Sequence, residues 1–593
     1  MTHPPHPLGR LAALRAELAC LGVDAFLVPR GDAFLGEYVS PSAERLAWLS
    51  GFTGSAGLAL VLRERAVIFI DGRYTTQAEA ECDPATWERH HLIEHPPATF
   101  LKECAPGLRL GYDPWLHTEA SLARLTDAGA LLVPLADNPI DRLWHDRPAP
   151  PATPAEAHAL AFAGEASSAK RAAAAAVLRQ EGQRAALLAD PHSVAWLFNL
   201  RGRDLAYTPL LLARALLRDD ASAVLFLHPD RADAGLLAHL GPEVALHPPD
   251  SMAEILAGCT GWPVRIDPDL TPAALAVLLR EAGATPVPGD DPCRLPRACK
   301  NAVEQNGARA AHHRDALALV RFLAWFAERA PQGGLGEVSA AVHLLDLRAE
   351  APEFVSESFP AISGAGPNGA IIHYRATSAT DRPIGAEEAY LIDSGAQYRD
   401  GTTDVTRTLW TGPGAAPEDL RARYTMVLRG HLTLSALRFP AGIAGPHMDA
   451  LARAPLWQAG LDYDHGTGHG IGSFLSVHEG PAGISRAAKP VPFKPGMIVS
   501  NEPGFYLPGA YGIRIENLLL VSAAALCPGQ TKPFLEFETL TLAPYARALI
   551  DAAALSPAER RQVDSYHARV LAALAPKLPA DAVAWLAREC APL

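Results

Sequence analysis

The stretch LIDSGAQYRDGTTDVTRT, residues 391–408, carries two aspartates, Asp393 and Asp404, on either side of the turn-prone YRDG. They stand eleven residues apart, and a hairpin here sets them on facing strands. The midpoint falls at Tyr398/Arg399, whereas Asp400-Gly401 is the stronger turn signal; a bulge would reconcile the two. Taken alone, two aspartates beside a turn read as turn residues. The arrangement recurs downstream with glutamates. SNEPGFY, residues 500–506, carries Glu502, and GIRIEN, residues 512–517, carries Glu516. Their midpoint is Gly509, inside LPGAYG. The apolar neighbours predict strands around both acids, and a carboxylate in an apolar strand is costly unless it is paired or bound to metal.

Between the two acidic pairs lies HGTGHGIGSFLSVHEGP, residues 465–481, with His465, His469 and His478. Its glycines at 466, 468, 470 and 472 let backbone approach a buried site closely. Four carboxylates and one imidazole are hard oxygen donors with a single nitrogen, which suit a pair of divalent cations better than one structural zinc. Two adjacent cations share a water, lower its pKa and make hydroxide available at neutral pH. The expected chemistry is hydrolysis. One histidine suffices as a ligand, leaving the others to bind substrate or stabilise an oxyanion. His373, in GAIIHYRAT, completes the set.

Working outward, 593 residues are too many for one core. A 49% hydrophobic and 20% charged composition is that of an ordinary soluble globular chain. A formal charge of −13 argues against nucleic acid and anionic membrane as partners. The start, MTHPPHPLGRLAALRAELACLG, has no uninterrupted apolar region and no small-residue cleavage site, and no apolar run reaches the length of about 18 residues that a membrane span needs. The eight cysteines are scattered with no C-x-x-C pair, which predicts free thiols and a cytoplasmic protein.

Two proline-rich breaks, residues 145–157 and 286–300, divide the chain. The predicted domains are 1–145, 155–290, a third over 300–540, and a helical extension over 541–593. The first two read as copies of one α/β design. LAALRAELACLG, DAFLVP, AERLAWLSGF, LALVL and AVIFIDGR are followed in the same order by AAAAAVLRQEG, AALLADP, HSVAWLFNLRG, LLLARALL and AVLFL, with Ala47-Trp48-Leu49 and Ala195-Trp196-Leu197 anchoring the alignment. The third opens with a long amphipathic helix over residues 308–330, on which His312 and His313 are expected as surface or helix-face residues. Strands are then expected at AYLIDSG, DVTRTLW, MIVSNEPGFYL, GIRIENLLLV and TLTLAP, with a helix across 417–438.

NGAIIHY, IDSGAQYRDGTTDVTRT, HGTGHGIGSFLSVHEGP, NEPGFY and GIRIEN, in this order and spacing, resemble the long-form aminopeptidase P family (Xaa-Pro aminopeptidases) of pita-bread metallopeptidases, across essentially the whole chain. The resemblance implies two creatinase-like α/β domains followed by an α+β pita-bread catalytic domain. It implies two divalent ions, usually Mn2+, with Asp393 chelating one ion, Asp404 and Glu516 bridging both, and His469 and Glu502 completing opposite sides. A hydroxide between the ions would attack the carbonyl before proline, with Glu502 shuttling the proton. His478 and His373 would steady the scissile peptide and oxyanion, and His465 would line the proline pocket. Arg514, two residues before Glu516, shares its strand face and is placed to orient carboxylates from behind or to form a salt bridge, with Tyr506 joining that network. The implied partners are peptides beginning Xaa-Pro and a second copy of the chain. Prolidase uses similar ligands on dipeptides. Methionine aminopeptidase usually lacks the large N-terminal domains, creatinase lacks the metals, and non-catalytic members of the fold have typically lost ligands; here all five positions are intact.

Overall fold

The structure is a computed structural model, and it describes residues 7–104 and 106–593. The first residues of the predicted N-terminal domain therefore lie outside the described residues. The chain forms two compact units: residues up to Leu160 with Glu165–Arg294, and Ala161–Gly164 with Leu295–Leu593.

The first unit holds two six-stranded sheets. One is built from β1 (Ala25–Pro29), β2 (Leu58–Leu62), β3 (Ala66–Ile70), β4 (Glu88–His91), β5 (Arg109–Tyr112) and β6 (Leu131–Pro134), in spatial order β4-β3-β2-β1-β5-β6. The other uses β7 (Ala185–Leu188), β8 (Arg214–Arg218), β9 (Ala223–Phe226), β10 (Val244–His247), β11 (Pro263–Ile266) and β12 (Thr285–Pro288), in order β10-β9-β8-β7-β11-β12. Each has an antiparallel centre and parallel flanks at the same places. The duplication expected from the Ala-Trp-Leu alignment is thus present in the strand order itself. Central strands such as β3 are buried on both faces, which is why AVIFI reads as a continuous apolar run rather than an alternating one.

The second unit begins with α1 (Ala302–Arg329). It starts earlier than the periodicity alone suggests, because Asn301 and Glu304 form a capping box over its first turn. His312 is buried against it rather than at the surface: its Nδ1 meets the Ala308 carbonyl at 2.7 Å, and burial lowers its pKa. His313 is half-buried, 3.2 Å from the Ala573 carbonyl. Then come α2 (Glu337–Ala349), β13 (Ile362–Ala365), β14 (Ala389–Ser394), β15 (Ala396–Tyr398), β16 (Gly401–Thr402), β17 (Val405–Trp410), α3 (Glu418–Ser435) and α4 (Asp449–Trp457). They are followed by β18 (Gly468–His469), β19 (Gly483–Ile484), β20 (Ile498–Asn501), β21 (Gly504–Leu507), β22 (Tyr511–Arg514), β23 (Asn517–Ala523) and β24 (Phe534–Thr539). Helices α5 (Pro557–Leu574) and α6 (Ala580–Glu589) close the chain. The last strand is FLEFET rather than TLTLAP. Past Thr539 the ladder ends because the Leu518 N–H donates to the Thr541 hydroxyl (2.9 Å) instead of to a backbone carbonyl.

Sheet β13-β14-β17 packs against α1 and α2 through Phe322, Phe326, Leu344, Tyr390 and Ile392. A second sheet, Arg438–Pro440 with β24, β23 and β20, has its own core around Leu434, Met448, Val499 and Leu519. Each sheet feeds one long hairpin that passes into a second sheet partway. In the first, β14 pairs with β17 and the continuation β15 pairs with β16, in one unbroken register. The turn is Arg399-Asp400, and no bulge intervenes. Gly401 is needed for a different reason: a Cβ there would lie 3.0 Å from Ala311 Cβ, so it lets the hairpin rest on α1. In the second, β20 pairs with β23 and β21 with β22, also in one register, around Gly509 at φ +77.

Candidate metal centre

The changeovers between sheets are where the acids sit. Asp404 follows β16, Glu502 follows β20 and Glu516 precedes β23, each in a short break between strands rather than inside one; Asp393 lies within β14, paired with Thr406. At each changeover the strand is interrupted for one or two residues while the register between its arms continues. The breaks are themselves tied down. The Glu516 N–H donates to the Thr406 carbonyl (3.2 Å) and the Glu502 N–H to the Thr467 carbonyl (2.8 Å). Gly395 makes the first changeover possible, since a Cβ would stand 2.0 Å from the Thr403 carbonyl oxygen.

His469, at the end of β18, reaches into the same space. Its Nε2 is 3.5 Å from Asp404 Oδ2 and 3.3 Å from Glu502 Oε1. Its own N–H is held by Ser500 Oγ (2.9 Å), which also donates to Glu502 Oε1 (3.0 Å). Asp404, His469 and Glu516 offer ligand atoms that all lie within 4.8 Å of one another. Asp393 is held by Arg514, whose Nη2 donates to Oδ2 at 2.7 Å. Thr406 joins the halves: its hydroxyl donates to Glu516 Oε2 (2.7 Å) and accepts from Arg514 Nε (3.2 Å). Arg514 Nη1 donates to the Tyr506 hydroxyl (2.7 Å), which sits 2.8 Å from His465 Nε2.

The electrostatics are those of a site built for cations. Burial, then Glu516, Asp393 and Glu502, push the Asp404 carboxyl well above its ordinary pKa. Burial, then Glu502 and Asp393, do so for Glu516. Burial also lifts Glu502, against the pull of Arg514, to about 7. Burial disfavours the charge of Arg514, but Tyr506, Asp393 and Glu502 outweigh it. One guanidinium cannot neutralise four carboxylates. Moreover Asp393 Oδ1, Asp404 Oδ1 and Glu516 Oε1 are buried and accept no hydrogen bond from the protein. A buried carboxylate oxygen without a donor is costly, and three of them, on carboxylates close enough to raise one another's pKa, fit bound divalent ions. The residues present therefore fit a two-ion centre. Its floor is buried while Glu502 and His469 keep 16% and 23% of their side chains exposed. An accessible side is what a catalytic rather than a structural site needs.

The other sequence-predicted residues arrange around this core. The His478 ring lies 4.2 Å from that of His469, edge to face. His465 is buried beside Tyr463 and Tyr506. His373 is half-buried on the loop after β13, which Glu337 fixes by accepting from Ala365 N, Asn368 Nδ2 and Tyr374 OH. That loop lies on β22, where a Cβ at Gly512 would stand 1.7 Å from the Gly369 carbonyl. Sequence reasoning passed over Thr406, Ser500, Glu337 and Arg453. Arg453, fully buried, bonds Asp449, the Tyr463 carbonyl and the His465 carbonyl, and so sets the His465 segment. The signal for Thr406 was available: in the strand expected at DVTRTLW, Asp404, Thr406 and Thr408 fall on one face by period two. Glu337 and Arg453 are distant helix residues with no local cue.

Fold and site together define a metal-dependent hydrolase. The two duplicated α/β domains, residues 10–143 and 146–304, match the creatinase/prolidase N-terminal domain, residues 306–523 match metallopeptidase family M24, and residues 533–593 match that peptidase's C-terminal region. The chain belongs to metallopeptidase family M24, in the branch of the Xaa-Pro aminopeptidases. It is 36% identical to Xaa-Pro aminopeptidase 2 of Sus scrofa, over 98% of this chain and 89% of that one. It is 38% identical to the probable Xaa-Pro aminopeptidase P of Neosartorya fischeri, over 98% and 92%. Among solved structures, the X-prolyl aminopeptidase of Caenorhabditis elegans, described as a cytosolic enzyme with a di-nuclear active site, superposes with a TM-score of 0.94 at 32% identity, covering 99% of this chain and 100% of that one.

Proposed function

We propose that this enzyme releases the N-terminal residue from peptides whose second residue is proline. The observation that carries the reading is the convergence of His469 with Asp404 and Glu516, each of which keeps a buried carboxylate oxygen with no protein donor. Asp393, Asp404, His469, Glu502 and Glu516 are the residues that would hold the ions. When bound, two divalent ions, proposed as Mn2+, supply Lewis acidity and a water activated at neutral pH.

The chain's own residues do the rest. Glu502, with Ser500 bonded to one oxygen and part of its side chain open to solvent, is the proton shuttle: it takes the proton from the attacking water and returns it to the departing proline nitrogen. His478 and His373 are proposed to hold the scissile carbonyl, and His465 to line the proline pocket. Arg514, backed by Tyr506, holds Asp393 in orientation. An Xaa-Pro bond lacks an N–H, so recognition falls to the ring and the free amine, which makes the enzyme an exopeptidase. The X-prolyl aminopeptidase of Caenorhabditis elegans that this chain resembles is described as cytosolic, which supports a cytoplasmic location. A twofold dimer, the commonest oligomer, is the proposed assembly.

The test is hydrolysis of Arg-Pro-Pro and Gly-Pro by metal-stripped protein, with and without added manganese. Restored release of arginine with slow cleavage of the dipeptide is the expected result. Cleavage of the dipeptide alone would make the enzyme a prolidase.

A further inference from the structure

Beside the metal centre lies a second buried charge cluster that the reaction above does not use. Lys300 Nζ donates to Glu479 Oε1 at 2.6 Å, with the two side chains 2% and 1% exposed. Arg297 Nε stands 3.4 Å from Glu479 Oε2, also buried. Both cations come from the segment just before α1. Lys300 is itself pinned: its N–H donates to the Gly496 carbonyl (2.9 Å) and its carbonyl accepts from Gln305 (2.7 Å).

Glu479 immediately follows His478, and its backbone N–H donates to the carbonyl of Gly470 (2.8 Å), which immediately follows His469. The two backbones touch: a Cβ at Gly470 would lie 2.0 Å from the Glu479 carbonyl oxygen. The loop between the histidines is otherwise under tension. Phe474 sits in the left-handed region at φ 50, which an aromatic residue disfavours. The Leu475 carbonyl is held by Gln397 Nε2 (2.7 Å), from the hairpin that carries Asp393 and Asp404. A strained loop keeps its shape only where its surroundings over-determine it. A buried ion pair adds little net stability over apolar packing, yet leaves one geometry available.

We propose that Lys300 and Glu479, with Arg297, are positioning residues that clamp the loop so that His478 stands against His469 and the scissile carbonyl. With Oε1 of Glu479 bonded to Lys300, Oε2 facing Arg297 and the backbone N–H bonded to Gly470, its Cα is held from two sides, and the Cα of His478 is one peptide away. The inference rests on the substrate-holding role proposed for His478.

The test is a double-mutant cycle, E479Q and H478A alone and together, on manganese-loaded enzyme with Arg-Pro-Pro. Metal content per chain and crystal structures of the wild type and E479Q are measured alongside. E479Q is expected to lower kcat about 10- to 100-fold, as misplacement of a reacting group does. It should keep its metal content, and cause no further loss once His478 is alanine. In the crystal the His478 ring should be displaced and His469 in place. Losses that multiply in the double variant, or a His478 ring that does not move, would overturn the clamp. If the wild type fails to cleave the tripeptide, the proposed activity falls, and the crystallographic comparison still decides the clamp. Should E479Q not fold, K300M, which removes the other partner, carries the same measurements.

Discussion

Thr406 has one hydroxyl between two charged groups: it donates to Glu516 and accepts from Arg514. Valine at that position keeps the shape and leaves both partners a bond short. T406V is expected to bind metal, or to turn over, ~10- to 100-fold less well, the usual effect of losing an outer-shell hydrogen bond. Metal titration followed by steady-state kinetics checks it, and wild-type behaviour in both would remove Thr406 from the network. The carboxylates make a second forecast. Glu502 is raised to about 7, and Asp404 and Glu516 are raised as well. In metal-free protein the folded state therefore binds more protons than the unfolded state above the ordinary carboxylate range. Stability falls as pH rises through this window, from about 4.5 to about 7 for Glu502. Each tenfold difference in proton affinity is worth about 1.4 kcal/mol. Metal must displace those protons, so the gain in Tm on adding manganese should be larger at pH 7.5 than at pH 5 (the two conditions of the test). A metal-free Tm that climbs over that interval contradicts the assignment.

At the scale of elements the two hairpins make a useful contrast. The Glu502/Glu516 register is legible because Gly509, at its midpoint, is in the turn for its positive φ. The Asp393/Asp404 register misleads because Gly401 looks like a turn glycine while its work is to admit Ala308 and Ala311 of α1. A glycine required by tertiary contact carries the same letter as one required by backbone conformation, and the sequence does not separate them. The position of the acids follows the same rule. Apolar neighbours predict strands, but the changeover between sheets is a property of two hairpins packed together, and only their assembly shows that the acids stand at the breaks. Gly395 is where this can be tested. G395A places a methyl 2.0 Å from the Thr403 carbonyl and 2.2 Å from Ser358 Oγ, and overpacking of this kind costs on the order of 2–4 kcal/mol. Chemical denaturation of metal-stripped protein should show that loss in the catalytic unit. A G395A variant as stable as the parent would mean the hairpin can open at the changeover without penalty.

Across the whole molecule, what the sequence makes legible is what repeats or concentrates. The duplicated α/β domains share element order and an Ala-Trp-Leu anchor, and the five proposed ligands cluster in four short strings. The supporting shell is dispersed: Glu337, Arg453 and Lys300 lie on helices or in a linker remote in sequence from the groups they hold. The division into two compact units, meeting in sequence at Arg294/Leu295 inside the second proline-rich break, has a thermodynamic consequence. Each unit has its own apolar cores: around Phe26, Ile68, Leu216 and Val224 in the first, and around Phe322, Tyr390, Leu428 and Ile513 in the second. The proposed ligands all belong to the second. An ion that binds only the folded second unit stabilises that unit by RT ln(1 + [L]/Kd), ~2.7 kcal/mol when free metal is about a hundred times Kd. Calorimetry of metal-stripped protein is therefore expected to show two unfolding transitions, and added manganese should move one of them upward and leave the other in place. The N-terminal unit expressed alone, residues 1–294, should reproduce the unmoved transition and bind no manganese. If metal shifts both transitions equally, the units unfold as one and their cores are not independent; if it shifts neither, the carboxylate cluster does not hold the ions that its orphaned oxygens call for.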